Sequence, residues 1–288
     1  MTSMPETKPV PISRPVVIEP SRGWFNLKLK AVWRYRELLY FLAWRDVKVR
    51  YKQTALGVTW VVLQPVISML VFSGLFGVLL QVPTGGVPYP LFVLSGLLPW
   101  QYFANSLTKS SNSLVDNTTL ITKVYFPRLV VPLSAVLGGL VDFGIAAVVL
   151  GLLMVYYHTP VGPELLLLPL FLLLAMLTAL GFGLWLSALN VRYRDVKQLM
   201  PFIVQVWMYL TPVVYGAALI PERFRWLLAL NPMTGVVGGF RWAILGEQVQ
   251  ETQAFGPLFT VSVAISLLVL AGGAVYFRHT ERTFADII

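Results

Sequence analysis

A run of 56 consecutive residues without a charged side chain separates Lys52 from Lys109. About a quarter of the residues of a soluble chain are charged, because its surface must face water. An uncharged run of this length cannot supply such a surface, but it is long enough for two membrane spans of about 20 residues each. The whole chain agrees, since only 12% of its residues are charged and its mean hydropathy is +0.72. We therefore expect an all-α polytopic membrane protein.

The positions of charged residues and turn formers divide the chain into six expected spans. They cover residues 57–80, 91–107, 130–157, 165–189, 198–218 and 255–277. Between the last two spans, the segment 222–251 is moderately apolar but contains Arg223, Arg225 and Arg241. No stretch there is long enough to cross the bilayer, so we expect short outer re-entrant helices.

The first 52 residues divide into two parts that precede a transmembrane domain at residues 53–288. Residues 1–23 are rich in proline and are expected to be a disordered tail. Residues 24–52 combine cations at helical spacing with apolar residues, which predicts an amphipathic interface helix lying against membrane lipid on the cytoplasmic side. Its cations could act only in setting topology, or they could also contact a substrate.

The distribution of lysine and arginine predicts the orientation of the chain. Eleven of the 22 lysines and arginines precede Gln53, and only Arg223, Arg225 and Arg241 fall in segments assigned to the outer side. Since cytoplasmic loops carry the excess of positive charge, both termini are expected in the cytoplasm. The same distribution places most of the net charge of +9 at the cytoplasmic surface of the membrane, so nucleic acid is not an expected partner.

Enzyme motifs are missing from the sequence. No glycine is followed by lysine, which excludes a phosphate-binding P-loop, and the patterns GxGxxG, HExxH and GxSxG do not occur. The chain has no cysteine and two histidines. We therefore expect no catalytic residue and no metal site, which leaves transport or a scaffold role.

Three segments resemble a known family. They read NSLVDNTTLITKVYFPRLVVPLSAVLGGLVDF (112–143), NVRYRDVKQLMPFIVQVWMYLTPVVY (190–215) and NPMTGVVGGFRWAILG (231–246). They are similar to the transmembrane permease of ATP-binding-cassette exporters of O-antigen, teichoic acid and capsule, over about residues 30–280. The resemblance implies export of a lipid-linked polysaccharide across the bacterial inner or plasma membrane.

The resemblance also implies partners. Two copies of the chain would pair with two separate ATPase subunits, which would bind ATP and Mg²⁺, while the chain itself would bind no cofactor. Two other functions stay open: a drug or small-molecule efflux permease of the same architecture, and a membrane-embedded glycan or lipid transferase.

In the family, a coupling helix after the second span docks on the ATPase, and the resemblance places it at about residues 115–125. Asp116 or Asn117 could cap this helix, with Leu120, Ile121, Val124 and Tyr125 in the segment that follows. An exposed apolar stripe in a cytoplasmic loop favours a protein partner. The alternative is that the stripe lies on lipid or on the basic interface helix.

Aromatic residues in or beside the spans are candidates for a sugar channel, because rings can stack on the flat C–H faces of sugars. The candidates are Trp60, Trp207, Tyr209 and Tyr215, with membrane-surface belts and ordinary packing as the alternative. Ala175, Ala179 and Gly183 recur at a spacing of four, which indicates helix packing.

Charged residues near the spans supply the last candidates. Asp142 is an acid deep in a predicted span, where a carboxylate needs a partner; it is either functional or part of a bond between helices. Arg45, Lys48, Arg50 and Lys52 precede the first span and are candidates for binding a diphosphate head group. The two arginines fit phosphate better, because a guanidinium donates two parallel hydrogen bonds.

Overall fold

A computed structural model of the chain describes residues 29–52, 57–246, 257–281 and 284, and all regular structure in these ranges is helical. The α-helices are α1 Leu29–Arg34, α2 Arg36–Lys52, α3 Gly57–Phe72, α4 Tyr89–Asp116, α5 Thr118–Lys123, α6 Val130–Tyr156, α7 Leu168–Arg192, α8 Asp195–Leu210, α9 Glu222–Ala229, α10 Pro232–Leu245 and α11 Pro257–Thr280. A π-helical segment, Ser73–Leu79, continues α3, and the 3-10 turns Pro163–Leu167 and Ala217–Leu219 precede α7 and α9.

The central element is α4, around which α3, α6, α7 and α10 pack. Every residue from 91 to 100 is buried, including Phe92 and Trp100. Because other helices surround much of α4, most of its side chains face protein instead of lipid. Serine and asparagine residues are therefore tolerated along its second half.

Glycine residues allow the long helices to approach each other closely. A Cβ added to Gly273 in α11 would lie 2.3 Å from the carbonyl oxygen of Gly181 in α7. On the other side of α7, a Cβ on Gly183 would lie 2.3 Å from Oγ of Ser110 in α4. Ala175 and Ala179 are also fully buried on α7. Small residues thus bring α11 to the backbone of α7 at Gly181, and the predicted stripe of Ala175, Ala179 and Gly183 is used in helix packing.

Within the residues that the structure describes, four stretches are long and apolar enough to cross a membrane: Thr59–Leu79, Val130–Tyr156, Pro163–Arg192 and Phe259–Thr280. They coincide with four of the six predicted spans, so the chain is a multi-pass membrane protein. The predicted span 91–107 lies within α4, which has 28 residues. It is less apolar than the other four, and it packs against α3, α6, α7 and α10.

The predicted span 198–218 differs from the structure, because α8 has 16 residues and ends at Leu210. Thr211, the residue after it, is extended and precedes Pro212. The ring of a proline disfavours the helical conformation of the preceding residue. The segment between α8 and α11 forms the two short helices α9 and α10, where short helices were expected.

The expected interface helix at residues 24–52 is divided by a turn at Tyr35 into α1 and α2, and residues 24–28 lie outside the described part of the chain. So does the predicted tail at 1–23. In α2, which packs on α6, Leu42 and Val47 are buried, whereas Tyr40, Phe41 and Trp44 are exposed. One face of α2 therefore contacts protein and the other is free to contact lipid.

Candidate functional site

Two clefts lie side by side among α2, α3, α4 and α6. The first, called here the polar cleft, has a volume of about 220 Å³ and reaches the middle of α6. The second, the basic cleft, has about 470 Å³ and reaches the end of α4. Arg50 and Lys109 line both clefts, so these two cations stand at the boundary between them.

Asp142 is the centre of the polar cleft. Its carboxylate accepts hydrogen bonds from the Arg50 guanidinium and, at 2.6 Å, from the Tyr51 hydroxyl. Nζ of Lys109 lies 3.4 Å from Oδ2 of Asp142. The side chain of Asp142 is 17% exposed. Three donors from α2 and α4 therefore converge on one carboxylate of α6, which supplies the partner that an acid in a span requires.

The cluster places two basic side chains, Arg50 and Lys109, against the single acid Asp142. Burial lowers the pKa of the Arg50 guanidinium, while Tyr51 and Asp46 raise it. An arginine keeps its proton in such surroundings. Burial raises the pKa of the Tyr51 phenol, with Arg50 opposing the shift, so this hydroxyl stays protonated and donates to Asp142.

The other walls of the polar cleft carry neutral polar and aromatic groups. Trp60 and Gln64 project from α3, one helical turn apart. Gln101, Asn105 and Lys109 line it from α4 at a spacing of four. The residues predicted from the sequence do not include Gln64, Gln101, Asn105 or Lys109. Three of these residues were detectable in the sequence, since polar residues at positions i, i+4 and i+8 form one helix face.

The basic cleft connects the interface helix with the end of α4. Arg45 donates to Oδ1 of Asp46 at 2.7 Å and to Oδ1 of Asn117 at 2.8 Å. Asn117 follows α4 directly and precedes α5. Asp116 also lines this cleft and pairs with Lys197 of α8 at 3.0 Å. The polar groups of the cleft therefore contact both the interface helix and the loop that carries α5.

The predicted head-group cations separate into two pairs. Arg45 and Arg50 line the basic cleft, and Arg50 also lines the polar cleft. Lys48 and Lys52 are exposed and are absent from the described linings of both clefts. Lys48 lies over the Trp44 ring, with Nζ 5.8 Å from the ring centroid.

The predicted coupling segment 115–125 contains α5, but only part of its apolar stripe is accessible. Val124 and Tyr125 are exposed, Leu120 is half-buried and Ile121 is buried. Ile121 packs in a cluster that includes Val32 of α1 and Leu42 of α2. The expectation that Ile121 is exposed is wrong, because its side chain is buried in this cluster.

The predicted side-chain cap at the start of α5 also differs from the structure. Asn117 precedes α5 but its side chain makes no capping hydrogen bond. Instead, its amide donates to the carbonyl oxygen of Ser113 at 2.8 Å, and its oxygen accepts from Arg45. The residue that was expected to start the helix therefore joins it to α2.

The four aromatic candidates lie in different surroundings. Trp60 is 55% exposed at the polar cleft. Trp207 packs edge-on against Phe103 and Phe182, and its indole N–H donates to Asn231 at 2.9 Å. The Tyr215 hydroxyl donates to the carbonyl oxygen of Tyr209, whose ring is exposed. Trp60 therefore lines the same cleft as Arg50 and Asp142, whereas Trp207 packs between helices.

Arg241 has a structural role that the sequence did not indicate. It is fully buried in α10, and its guanidinium donates to the carbonyl oxygens of Phe92, Val213 and Tyr215. Its Cζ lies 3.9 Å from the centroid of the Phe92 ring. The irregular backbone after α8 is therefore held by a cation of the short helix α10.

Comparisons with known proteins match most of the chain. A family model described as ABC-2 type transporter matches residues 37–245. The chain is 32% identical over 265 residues to the O-antigen export system permease protein RfbA of Klebsiella pneumoniae, an alignment that covers 91% of this chain and 100% of the relative. It is 30% identical over 264 residues to RfbA of Myxococcus xanthus, covering 90% and 98% of the two chains.

A more distant relative is the polysialic acid transport protein KpsM of Escherichia coli. It is 23% identical over 246 residues, which cover 83% of this chain and 91% of that protein. The region matched by the family model, residues 37–245, includes every residue that lines the two clefts. Both clefts therefore lie in the part of the chain that resembles known permeases.

Proposed function

The chain belongs to the ABC-2 type transporter family, and on that premise we propose that it is the permease subunit of an exporter of cell-surface polysaccharide. Its membrane is the bacterial inner or plasma membrane. The similarity to O-antigen and polysialic acid transport proteins supports this substrate class.

The composition of the polar cleft is the observation that carries this proposal. Amide groups of Gln64, Gln101 and Asn105 can hydrogen-bond sugar hydroxyls, and the exposed ring of Trp60 can stack on a sugar face. Binding sites for drug-like molecules are mostly apolar with few polar groups. The cleft also has an apolar lining, which includes Val61, Leu98 and Phe143, and beside it lie two basic groups, an acid and three amides. This combination suits a cargo that carries charged and hydroxyl groups as well as apolar faces.

We also propose six spans, with α4 and α8 as the second and fifth. At 1.5 Å per residue, α4 is about 42 Å long, which exceeds the hydrocarbon thickness of about 30 Å. The shorter α8 continues into irregular backbone at Val213 and Tyr215, where Arg241 binds the carbonyl oxygens. Such backbone is tolerated at membrane depth where it is buried in protein. In this arrangement α9 and α10 are the outer re-entrant helices, and both termini are cytoplasmic.

The proposed transporter contains two copies of the chain and two ATPase subunits, which bind ATP and Mg²⁺. Each α5 serves as a coupling helix. Val124 and Tyr125, which are exposed beside it, are the apolar groups available to an ATPase groove. Leu120 and Asp116 lie at the edge of this surface, and Ile121 supports it from inside.

We propose that the cargo is lipid-linked and that its diphosphate head group binds at the basic cleft. Arg45, Arg50 and Lys109 supply three cations there. Lys48 and Lys52, which are exposed outside the clefts, would attract the head group without holding it.

Deletion of the gene tests the proposed function. We expect loss of surface polysaccharide and accumulation of its lipid-linked precursor inside the cell. Expression of the wild-type chain should restore both. A deletion strain with unchanged surface polysaccharide and altered drug tolerance would favour the efflux alternative instead.

The head-group site predicts that Arg45→Lys with Arg50→Lys loses export, because lysine cannot donate the paired hydrogen bonds of a guanidinium. The matched control is Lys48→Arg with Lys52→Arg, which keeps every charge and lies outside the clefts. Surface polysaccharide and membrane insertion are measured for both variants. If the cations only set orientation, the two variants will export equally.

A further inference from the structure

We infer that Asp142 is a displaceable counter-ion: a phosphate-bearing ligand takes Arg50 and Lys109 from its carboxylate, and this exchange loosens the contact of α2 with α6. The inference rests on the proposed function, in which such a ligand is part of the cargo. It adds to that function a sensor, built into the permease, that reports an occupied site.

The geometry places the exchange at the boundary of the two clefts. Arg50 and Lys109 each line both clefts, whereas Asp142 lines only the polar one. A ligand in the basic cleft therefore reaches both cations from a cleft that Asp142 does not line. The cations are 26% and 35% exposed in their side chains, so they are accessible while they are paired.

The charges favour exchange. A carboxylate and a phosphate oxygen accept the same charge-assisted hydrogen bonds from arginine and lysine, and phosphate also fits the guanidinium fork. Asp142 offers one negative charge to two cations. A diphosphate offers more negative charge and more acceptor oxygens at the same place. Asp142 is thus an internal substitute for the ligand that keeps the cations in position when the site is empty.

The exchange has a mechanical consequence because the bonds to Asp142 join α2 to α6. Arg50 and Tyr51 are both in the last turn of α2, and both donate to the carboxylate. At the other side of the same helix, Arg45 donates to Asn117, directly before α5. Movement of the last turns of α2 therefore acts on the loop that carries the proposed coupling helix. A ligand shifts this equilibrium only because it binds the loosened state better.

The distance between α2 and α6 can be measured in the full-length chain. Because the sequence has no cysteine, Phe41→Cys with Val148→Cys provides two unique sites for spin labels. Both side chains are 63% exposed, so labels there leave the packing intact. The chain is reconstituted in lipid nanodiscs, and pulsed dipolar spectra are recorded with farnesyl diphosphate, inorganic diphosphate or farnesol.

We expect farnesyl diphosphate to lengthen or broaden the distance between the labels and farnesol to leave it unchanged. A response to inorganic diphosphate at the same concentration would identify free phosphate as a sufficient source of the ligand. A response to farnesyl diphosphate alone would identify the lipid-linked form. An unchanged distance with both phosphate probes would overturn the inference.

Asp142→Asn separates a displaceable counter-ion from a structural bond. Without the competing carboxylate, we expect the label distance to be shifted before any ligand is added. We also expect farnesyl diphosphate to bind about tenfold more tightly, because binding no longer has to break charge-assisted bonds. A purely structural Asp142 predicts weaker or unchanged binding. Asp195→Asn, the same substitution at an exposed position of α8, is the control and should match the unsubstituted pair.

A second variant keeps the test decisive if Asp142→Asn does not fold. Lys109→Gln removes one cation and leaves the Arg50 pair with Asp142 in place. It should bind farnesyl diphosphate about tenfold more weakly, while the label distance without ligand stays at its wild-type value. Equal affinity in this variant and the wild type would remove Lys109 from the exchange and contradict the inference.

The outcomes are independent of those that test the proposed function. The label experiment uses the permease alone, whereas the proposed function is judged by polysaccharide on the cell surface. If deletion abolishes export but the labels do not respond, the sensor is wrong and the function stands. If deletion leaves export intact, the proposed function is wrong whatever the labels show.

Discussion

Arg241 shows how one buried cation stabilises irregular backbone inside a membrane protein. Its guanidinium binds the carbonyl oxygens of Val213 and Tyr215, which lie in irregular backbone, and that of Phe92 in α4. We expect Arg241→Met to lower the free energy of unfolding by about 3 kcal/mol or more, because each buried acceptor left unpaired costs about 1–3 kcal/mol. Thermal unfolding in detergent, followed by tryptophan fluorescence, measures the change.

The control for this substitution is Arg225→Met. Arg225 lies on α9, is only partly buried, and donates to the carbonyl oxygen of Ile220 at 3.2 Å. Its replacement should lower the melting temperature much less. If the two variants have the same melting temperature, the carbonyl contacts of Arg241 do not stabilise the fold.

A single residue was predictable from the sequence when its charge and its position relative to a span were sufficient to identify it. Asp142 was identified by its depth in an apolar span, and Arg50 by its position before the first span. Their contact was not predictable, because 92 positions separate them in the chain. The burial of Ile121 and the packing of Trp207 depended in the same way on neighbours from distant helices.

Among the helices, the contact between α7 and α11 depends on glycine. An alanine methyl at position 273 would lie 2.3 Å from the carbonyl oxygen of Gly181, so the two helices would have to separate. We expect Gly273→Ala to destabilise the protein by about 1–3 kcal/mol, as overpacking does elsewhere. The melting temperature in detergent gives the measurement.

Gly151→Ala on α6 is the matched control for Gly273→Ala. A Cβ at position 151 meets no heavy atom within 4 Å. Alanine is the better helix former by up to about 1 kcal/mol, so this variant should melt at the same temperature or slightly higher. A lower melting temperature for both variants would mean that space around the glycine is not the cause.

The coupling helix α5 makes a prediction about association with the ATPase. Val124→Asp with Tyr125→Asp places two charges on the exposed apolar surface, and we expect the ATPase to be lost from the purified complex while the permease still folds. Thr122→Asp on the same short helix, also exposed, controls for added charge. Retention of the ATPase by the double variant would exclude these residues from docking.

Elements were predictable where hydropathy alone decides, and less so where tertiary packing decides. The stretches Val130–Tyr156 and Pro163–Arg192 face lipid on much of their surface, and the sequence located them within a few residues. The central helix α4 extends nine residues past the predicted end at 107, because its polar second half is enclosed by other helices. The fifth span was predicted to end at 218, but α8 ends at Leu210 because Thr211, which precedes Pro212, is extended.

At the scale of the whole molecule, the polar cleft is incomplete in one chain. Gln64 and Asn105 line it and are exposed, although both belong to segments expected within the membrane. Uncompensated polar groups facing lipid are unfavourable, so such residues normally face protein or a water-filled cavity. A second copy of the chain, placed against α3 and α4, would enclose the cleft and turn two half-channels into one.

This argument predicts a cross-link between two copies at the mouth of the cleft. In a chain without cysteine, Gln64→Cys should form an oxidant-dependent product of twice the 32.2 kDa chain mass. Leu268→Cys on α11, which is 71% exposed on an apolar surface away from α3, should stay monomeric under the same oxidant.

Native mass spectrometry of the complex should then give two permeases with two ATPases. Nucleotide hydrolysis should require the ATPase, since the permease sequence has no P-loop. A transport-competent complex with one permease would contradict the shared channel, because the cleft of each copy would then open onto lipid.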